Sequence, residues 1–391
     1  MPRVIAGAAA IALLLAPLAT AGAQDWPSRA VTMVVPYAAG GPVDTLGRIL
    51  AARLSDILGQ QVVVENVAGA GGMTGSSRVA KAPPDGYTVL LSGSAVLAIN
   101  QTLYKRPLYN AVTDFEHVAL FSDSARVLIT RKDLPVNTLS EFVAYAKANQ
   151  GKMQYGSAGA GSGMHVCAVL LDAAMGTKIT HVPYRGSAPA MQDLMGGRID
   201  FVAEQISTAL PQIQGGTVKA IATLGLDRAP GLEQLPTAQE VGLAGLDCGS
   251  WGSLSFPKGT PDEIVQRLAK ATNEAVETPA VRERLKSIGV TIPAPERRTP
   301  EYLAKFVVSE IARRGVCAVH RRRCRGARLA ARERRGAGLG RRHPHFPPRC
   351  AQARTGASGR AVLARLSRSA RRPRPGRSGA VLGPRRRLAH A

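Results

Sequence analysis

The sequence predicts an α/β protein with two lobes, each built on its own mainly parallel sheet. Short strands alternate with amphipathic helices between residues 25 and 313, which is the pattern of α/β folds. A strand that runs into a glycine-rich turn and then into a helix occurs twice, over residues 31–44 and again over residues 153–166. We therefore predict two lobes with a cleft between them.

The elements are predicted in order along the chain. Residues 31–36 form the first strand, and apolar residues from Val43 to Leu58 recur at helical spacing after it. Further strands are predicted at residues 62–64, 87–91, 126–130, 153–156, 179–182, 199–203, 218–223 and 251–256, the last as a late crossover. Capping boxes at Thr138, Thr237 and Thr260 predict helix starts, and helices near Pro261, Pro279 and Pro300 close the body. Lobe 1 is expected to comprise residues 25–127 with 250–313, and lobe 2 residues 128–249.

Residues 1–23 have the pattern of a cleavable export signal. Arg3 precedes an apolar run over residues 4–18, and small residues end at Ala23. The alternative is a membrane anchor, but the run is shorter than the ~20 apolar residues that span a bilayer. We expect a protein that is exported to the periplasm, with cleavage near Ala23.

The formal net charge of +24 is concentrated at one end, because +22 of it lies in residues 314–391. This segment holds 23 arginines, no lysine and one acidic residue, Glu333. Its composition predicts disorder. It is either a basic arm for anionic partners or peptide translated from the wrong frame of a GC-rich gene, and the abrupt change inside a helix favours the frame shift. The charge therefore does not make the body a nucleic-acid-binding protein.

The body of the chain has two cysteines, Cys167 and Cys248. They could pair in an oxidising compartment, but the sequence does not establish whether their Cα atoms come close enough. We favour two buried single thiols. The three cysteines of the tail match no zinc-ligand spacing, so no metal site is expected.

Motifs of common catalytic classes are absent from the sequence. A nucleophile elbow needs glycine two residues to either side of its serine, and the corresponding neighbours of Ser162 are Ala160 and Met164. Gly161 is not followed by the lysine of a phosphate-binding loop, and a dinucleotide fingerprint would need glycine at position 164. We predict binding without catalysis and without a cofactor.

The two glycine-rich turns are candidate anion sites. A helix start carries unpaired N–H groups and partial positive charge, and glycine lets a small anion approach them. Four nearby side chains have two possible roles each. His165 contacts a ligand or bonds locally at the helix start, and Asp44 contacts a ligand or caps its helix. Arg185 pairs with an acidic ligand or lies at the surface, and Glu204 lies beside the cleft or at the surface.

Several motifs resemble, in order along the chain, the substrate-binding proteins of tripartite tricarboxylate transporters, also called the Bug family. The motifs are residues 27–44, 64–66 with 69–72, 84–88, 98–100, 155–159, 181–186 and 196–200. The resemblance covers residues 25 to about 313. Beyond it, Arg314-Gly315-Val316-Cys317 replaces the aromatic residue and apolar helix end usual in the family, which supports the frame-shift interpretation.

The resemblance implies a type II periplasmic binding protein-like fold with two crossover strands and a ligand cleft between the lobes. Family members hold a ligand carboxylate through backbone amides and bridging waters. Carried onto this chain, the ligand-binding residues are Tyr37, Ala39, Gly40, Gly41, Val43 and Asp44 on one side, Ser157, Ala158, Gly159, Gly161 and Ser162 on the other, and Ser92, Ser94 and His165 along the cleft. Apart from the resemblance, we expect selectivity for the rest of the ligand to depend on cleft side chains such as Arg185 and Glu204.

The implied function is capture of a small organic carboxylate and its delivery to membrane permease subunits. Family ligands include dicarboxylates, tricarboxylates, acidic amino acids and aromatic acids. The alternative is an extracytoplasmic sensor or scavenger that uses the same fold to signal through a partner. We expect a monomer with no specific nucleic-acid partner.

Overall fold

Two β-sheets with flanking helices organise residues 26–243 and 245–314, the parts of the chain that the computed structural model describes. The predicted export signal and the arginine-rich segment beyond residue 314 lie outside the described residues. Within the described ranges no helix is both long and apolar enough to cross a membrane. The architecture confirms the predicted α/β class.

The described strands and helices alternate along most of the chain. The strands are β1 (Val31–Val35), β2 (Val62–Asn66), β3 (Thr88–Gly93), β4 (Phe115–Ser124), β5 (Arg126–Arg131), β6 (Gln154–Ser157), β7 (Thr180–Pro183), β8 (Phe201–Gln205), β9 (Val218–Thr223), β10 (Ser250–Pro257) and β11 (Val290–Thr291). The helices are α1 (Pro42–Leu58), α2 (Met73–Ala80), α3 (Asn100–Leu103), α4 (Leu139–Asn149), α5 (Gly163–Met175), α6 (Ser187–Met195), α7 (Ile206–Gln214), α8 (Asp262–Glu277), α9 (Pro279–Ser287) and α10 (residues 300–314). Short turns of 3₁₀-helix lie at Ala70–Gly72 and Pro295–Arg297, and a π-helical segment lies at Ala95–Ile99.

The first sheet has six strands in the order β11-β4-β10-β3-β1-β2, and the second has five in the order β7-β6-β8-β5-β9. Both sheets are mixed. In the first, β1 is parallel to β2 and β3, whereas β10 runs antiparallel to β3 and β4. In the second, β6 is parallel to β7 and β8, whereas β5 is antiparallel to β8 and β9.

The chain passes between the sheets twice. Ala125 joins β4 of the first sheet to β5 of the second, and the chain returns between β9 and β10. These are two crossovers, as the resemblance implies. We use lobe 1 for the first sheet with its helices and lobe 2 for the second. The residue boundaries that the sequence predicts for the lobes stay a prediction.

Helix α1 shows how the sequence builds lobe 1. Pro42 opens the helix, and Gly59 ends it with φ of 69°. Leu46, Leu50 and Leu54 recur every four residues and are buried, so one helix face packs against the sheet. The apolar cores of the two lobes are separate clusters around each sheet. The strand–turn–helix unit therefore folds as predicted.

Strand β4 was not predicted, although it is ten residues long. Both of its faces are buried, so its sequence lacks the alternation of apolar and polar residues that marks a half-exposed strand. His117 and Ser122 are buried within it. His117 lies between the Ser255 hydroxyl and the Ala111 carbonyl oxygen, at 3.0 and 3.1 Å. The polar residues of β4 interrupt its apolar pattern in the sequence, and in the folded protein tertiary contacts supply hydrogen-bond partners such as those of His117.

One of the three predicted capping boxes starts a helix in the predicted way. Thr138 and Glu141 make both reciprocal bonds at the start of α4. Thr237 makes the same kind of bonds with Glu240, but the segment is a turn rather than a helix. At Thr260 the predicted helix start is confirmed, since α8 begins at Asp262, but the capping bonds are not, because the Thr260 hydroxyl donates to the Pro257 carbonyl and the helix has no side-chain cap.

Cys167 and Cys248 form a disulfide, which corrects the expectation of two single thiols. Their Cα atoms are 5.5 Å apart, a usual disulfide distance. Cys167 lies in α5, and Cys248 lies just before β10. The 81-residue separation explains why the sequence did not decide the pairing.

The end of α10 also differs from the predicted boundary. Arg314 was assigned to the tail, yet it is helical. Its Nε lies 2.8 Å from Oε2 of Glu310, and its Nη2 donates to the Gly249 carbonyl. Glu310 also accepts a hydrogen bond from the Trp251 indole. The last described turn of the helix is thus tied to β10.

Candidate functional site

A small cavity of about 60 Å³ lies between the lobes. Residues of both sheets line it: Tyr37, Gly41, Pro42, Val43, Leu46, Leu91, Ser92, Gly93, Ser94, Ala95, Ser122, Ser124, Trp251 and Gly252 from lobe 1, and Arg126, Ala158, Gly163, Met164, Ser187 and Gln205 from lobe 2, with Ser250 at the crossover. Among these lining residues Arg126 is the only one with a charged side chain. The cavity is therefore small, lined by apolar groups as well as hydroxyls, and carries one positive charge.

Two helix N-termini face this cavity, one from each lobe. Helix α1 begins at Pro42, and its neighbours Gly41 and Val43 line the cavity. Helix α5 begins at Gly163, and Gly163 and Met164 line the cavity from the other lobe. Both helices are longer than three turns, and each places partial positive charge at its first residues. An anion between the lobes would be attracted to both ends, but less strongly at α1, because the carboxylate of Asp44 lies in the first turn of that helix.

Arg126 lies at the start of β5, opposite Gln205 of β8. It is 4 % exposed. Its Nη1 donates to the Ala203 carbonyl at 2.8 Å, and its Nε donates to the Cys248 carbonyl at 3.3 Å. Burial lowers the pKa of Arg126 to about 10, against a smaller opposite effect of Glu204. The guanidinium is therefore still charged at neutral pH.

Several buried polar atoms of the cavity have no hydrogen-bond partner within the described residues. They are Oγ of Ser92, Ser122, Ser124 and Ser187, and Oε1 of Gln205. A buried polar atom without a partner costs about 1–3 kcal/mol, and such atoms are uncommon in folded proteins. Five around one cavity indicate a space built for a polar occupant.

The lobes are in contact around the cavity. A Cβ on Gly41 would stand 3.0 Å from the Ser187 hydroxyl, and one on Gly71 would stand 2.3 Å from the Ala160 carbonyl oxygen. The Tyr104 hydroxyl lies 3.1 Å from that same oxygen, across the gap between the lobes. The lobes therefore touch across glycine-rich backbone segments beside the cavity, as in a closed form.

Six of the predicted ligand-binding residues line the cavity. They are Tyr37, Gly41, Val43, Ser92, Ser94 and Ala158. The Tyr37 hydroxyl donates to the Gly71 carbonyl at 3.3 Å, and Ser94 shares a 3.2 Å hydrogen bond with Ser250. The other ten predicted residues lie around the cavity or away from it.

On the lobe 1 side, Ala39 and Gly40 are exposed, and Gly40 lies against Ala188 of lobe 2. Asp44 is buried, and its carboxylate accepts hydrogen bonds from the Gly40 N–H, from Arg48 Nε and from Asn66 Nδ2, each at 2.9 Å. Burial alone would raise the pKa of Asp44, but these bonds hold it below its ordinary value. Asp44 therefore bonds to the loop that precedes α1, does not make a side-chain N-cap bond, and is not among the residues that line the cavity.

On the lobe 2 side, the glycine-rich turn bonds largely to itself. The Gly159 N–H donates to the Ser157 hydroxyl, and the Gly161 N–H donates to His165 Nδ1. Ser162 caps α5 by accepting the His165 N–H. The N–H groups of Gly159 and Gly161, which the sequence predicted would bind a ligand, are therefore already hydrogen-bonded within the turn. The first residues of α5 face the cavity instead.

Two rings lie beside this turn. His165 is half-buried, with its ring 4.4 Å from that of His181. His181 Nε2 is 2.6 Å from the Ser157 hydroxyl. Burial lowers the pKa of His165, and burial with the neighbouring His165 lowers the pKa of His181 to about 4. His165 has the local role at the helix start and is not among the residues lining the cavity.

The two selectivity candidates lie away from the cavity wall. Arg185 is exposed, which matches its surface alternative. Glu204 is fully buried, with Oε1 accepting the Gln205 N–H at 2.8 Å and Oε2 without a partner in the described structure. Burial raises the pKa of Glu204, and the charge of Arg126 opposes that rise.

Sequence analysis missed Arg126, Ser122, Ser124, Ser187 and Gln205. Arg126 was predicted only as the first residue of a strand. A charged residue directly before the apolar residues 127–129 was the one available signal. The serines have no motif and become cavity residues only through the packing of β4, α6 and β8.

The arrangement of polar groups around the cavity can hold an anion. Across the described ranges, no group of three or more histidine, cysteine or acidic residues could hold a metal ion. The cavity presents N–H groups, hydroxyls and one guanidinium, all of which stabilise negative oxygen atoms. Two α/β lobes that close on a small anion-attracting cavity define a solute-binding protein.

A family model described as "Tripartite tricarboxylate transporter family receptor" matches residues 46–321. The chain belongs to this family, which confirms the resemblance found in the sequence. The structure of the periplasmic binding protein BugD is similar, with 39 % identity and a TM-score of 0.72, over 75 % of this chain and 97 % of that one.

Two related structures contain organic acids. MatC (Rpa3494) from Rhodopseudomonas palustris with bound malate is 38 % identical, with a TM-score of 0.72, over 74 % of this chain and 99 % of that one. R. palustris Rpa4515 with adipate is 35 % identical, with a TM-score of 0.70, over 74 % of this chain and 96 % of that one.

Proposed function

We propose that this protein captures a small organic carboxylate between its lobes in the periplasm and delivers it to the permease subunits of a tripartite tricarboxylate transporter. The observation that carries this proposal is the closed cavity, faced by two helix N-termini and five unpartnered buried polar atoms. Such a space is complementary to an occupant with several negative or polar oxygen atoms. A carboxylate meets that need, and the malate and adipate complexes of the two relatives support this class.

The proposed role includes opening and closing of the lobes, because the contacts between them narrow the entrance to the cavity. The links at Ala125 and between β9 and β10 are the places where the lobes could turn relative to one another. A ligand that contacts both lobes stabilises the closed form, because its contacts are complete only there. Closure then reports occupancy to the permease.

Titration calorimetry against malate, succinate, adipate, citrate, aspartate and benzoate tests the capture step. We expect saturable binding of at least one of the dicarboxylates. A well-folded protein, by circular dichroism, that binds no carboxylate would contradict the proposal.

A matched pair of glycine variants tests whether the cavity is the binding site. In G41V the new side chain enters the space beside Ser187, whereas Gly151 is exposed and a side chain there meets nothing within 4 Å. We expect G41V to lose binding and G151V to keep it. Equal affinities in the two variants would place the ligand elsewhere.

Delivery is tested separately from capture. Uptake of the labelled acid by cells that carry the permease subunits should depend on this protein. Uptake should fall with G41V and stay with G151V. Normal binding together with uptake that is independent of the protein would favour the sensor or scavenger alternative.

A further inference from the structure

The cavity has one full charge among its lining residues, and that charge belongs to lobe 2. Arg126 is 4 % exposed and lines the cavity. Two of its three guanidinium nitrogens donate to the backbone carbonyls of Ala203 and Cys248. Among the described residues Nη2 has no hydrogen-bond partner and Arg126 forms no ion pair, although the buried carboxyl of Glu204 acts on its charge from a longer distance.

Nη2 points toward the start of α5. A Cβ built on Gly163, the first residue of that helix, would stand 2.6 Å from Nη2. The helix N-terminus carries about half a positive charge, so two positive groups stand side by side in a buried place. Like charges repel strongly where water is excluded. An anionic group bound between the Arg126 guanidinium and the N-terminus of α5 would be attracted to both and would offset their mutual repulsion.

Lobe 1 supplies its own anion site at the start of α1, where Gly41 and Val43 line the cavity. A carboxylate held there lies on the opposite lobe from Arg126. A monoanion could therefore satisfy one end only. A dianion could satisfy both, and the serine hydroxyls between them could take a hydroxyl or the remaining oxygen atoms.

We propose that Arg126 binds a second carboxylate and so selects dicarboxylates over monocarboxylates. This inference rests on the proposed capture of a carboxylate in the same cavity. One carboxylate is held by the N-terminus of α1, and the other by Nη2 of Arg126 with the N-terminus of α5. Binding of the dianion joins the lobes because each lobe holds one end.

The cavity volume limits the length of the ligand. At roughly 10–15 Å³ for each water position, the cavity of about 60 Å³ has room for about four to six waters. Succinate and malate, with chains of four carbons, match this space. Adipate and citrate would hold the lobes further apart, so they should bind more weakly than succinate or malate.

A comparison of succinate with succinamate isolates the second carboxylate, because succinamate replaces one carboxylate by a neutral amide of the same shape. Calorimetry with the full chain should give the wild type at least a 30-fold preference for succinate. In R126Q the preference should fall below threefold, because succinate binding weakens while succinamate binding changes little. The control is R131Q, which removes a positive charge from the far end of the same strand, where Arg131 pairs with Asp200. R131Q should keep the wild-type preference.

A merely structural role for Arg126 would weaken both ligands equally and leave the preference unchanged in R126Q, which would overturn the proposal. A wild-type preference below threefold would overturn it without any variant. If R126Q does not fold, R126K replaces it, because its ammonium keeps the charge but not the fixed geometry of the guanidinium. Its preference should fall at least threefold, and an unchanged value would contradict the proposal. Failure of the wild type to bind any carboxylate would instead refute the proposed function itself.

Discussion

The contact between Gly71 and lobe 2 predicts that a single methyl group obstructs closure. Gly71 has φ of 63°, and a Cβ there would lie 2.3 Å from the Ala160 carbonyl oxygen and 2.8 Å from the Gly161 carbonyl carbon. Ordinary contacts between heavy atoms are about 3.5 Å. In G71A the lobes must therefore separate by about 1 Å at this point. That movement weakens the contact between the Tyr104 hydroxyl and Ala160.

The magnitude has two parts. Alanine in the left-handed region costs about 1–2 kcal/mol in folding stability, whether the lobes are open or closed. The clash with Ala160 exists only in the closed form, so it appears in ligand affinity. Loss of one hydrogen bond and of close packing is worth at least about 1.4 kcal/mol, which is tenfold in Kd.

The matched control is G59A, because Gly59 has φ of 69° and a Cβ there meets nothing within 4 Å. Both variants should lose similar stability in urea unfolding. Only G71A should bind malate or succinate at least tenfold more weakly in calorimetry. If G71A and G59A bind alike, the closed contact between the lobes has no role in ligand capture, and the reasoning fails.

Three further predictions concern stability. Reduction of the Cys167–Cys248 disulfide, or serine at both positions, should lower the free energy of unfolding by about 4 kcal/mol, since the bond closes an 81-residue separation; a urea midpoint unmoved by reductant would contradict this. Burial lowers the pKa of His117 to about 4 from 6.5, so the unfolded chain binds the proton first as pH falls. The contribution of neutral His117 to the free energy of unfolding is therefore fully present above pH 6.5 and is lost as the pH falls toward 4, by about 3 kcal/mol in all. The free energy of unfolding of H117Q should differ less between pH 7.5 and pH 4.5 than that of the wild type. T138A removes the hydroxyl that accepts the Glu141 N–H and should cost about 1 kcal/mol by thermal melting, and an unchanged melting temperature would show that this cap does not stabilise α4.

Local patterns predicted the elements whose signals are short in sequence. The capping box at Thr138 and the helical spacing of the apolar residues in α1 depend on residues within one or two helical turns. Each bond joins near neighbours, so the sequence contains both partners. Strand β4 was not predicted because it is buried by pairing with β10 and β11, which lie more than 100 residues away in the sequence.

Some residues of the candidate site were likewise recognisable from local sequence motifs, and others were not. Glycine-rich turns at two helix starts were recognisable, and Gly41, Val43 and Ala158 do line the cavity. The glycines after Ser157 did not behave as expected, because His165 and Ser157 accept their N–H groups. Which amides stay free depends on side-chain orientations that no motif specifies.

By itself, the sequence determined the α/β class, the two strand–turn–helix units and the family, because periodicity, caps and glycine positions are properties of adjacent residues. Only the tertiary structure decided that Cys167 pairs with Cys248, that Asp44 accepts hydrogen bonds from Gly40, Arg48 and Asn66, and that Arg126 faces the cavity. These features depend on atoms that are far apart in the chain and meet only when two sheets fold and close on each other. The free energy of a buried charge is set by that assembled environment.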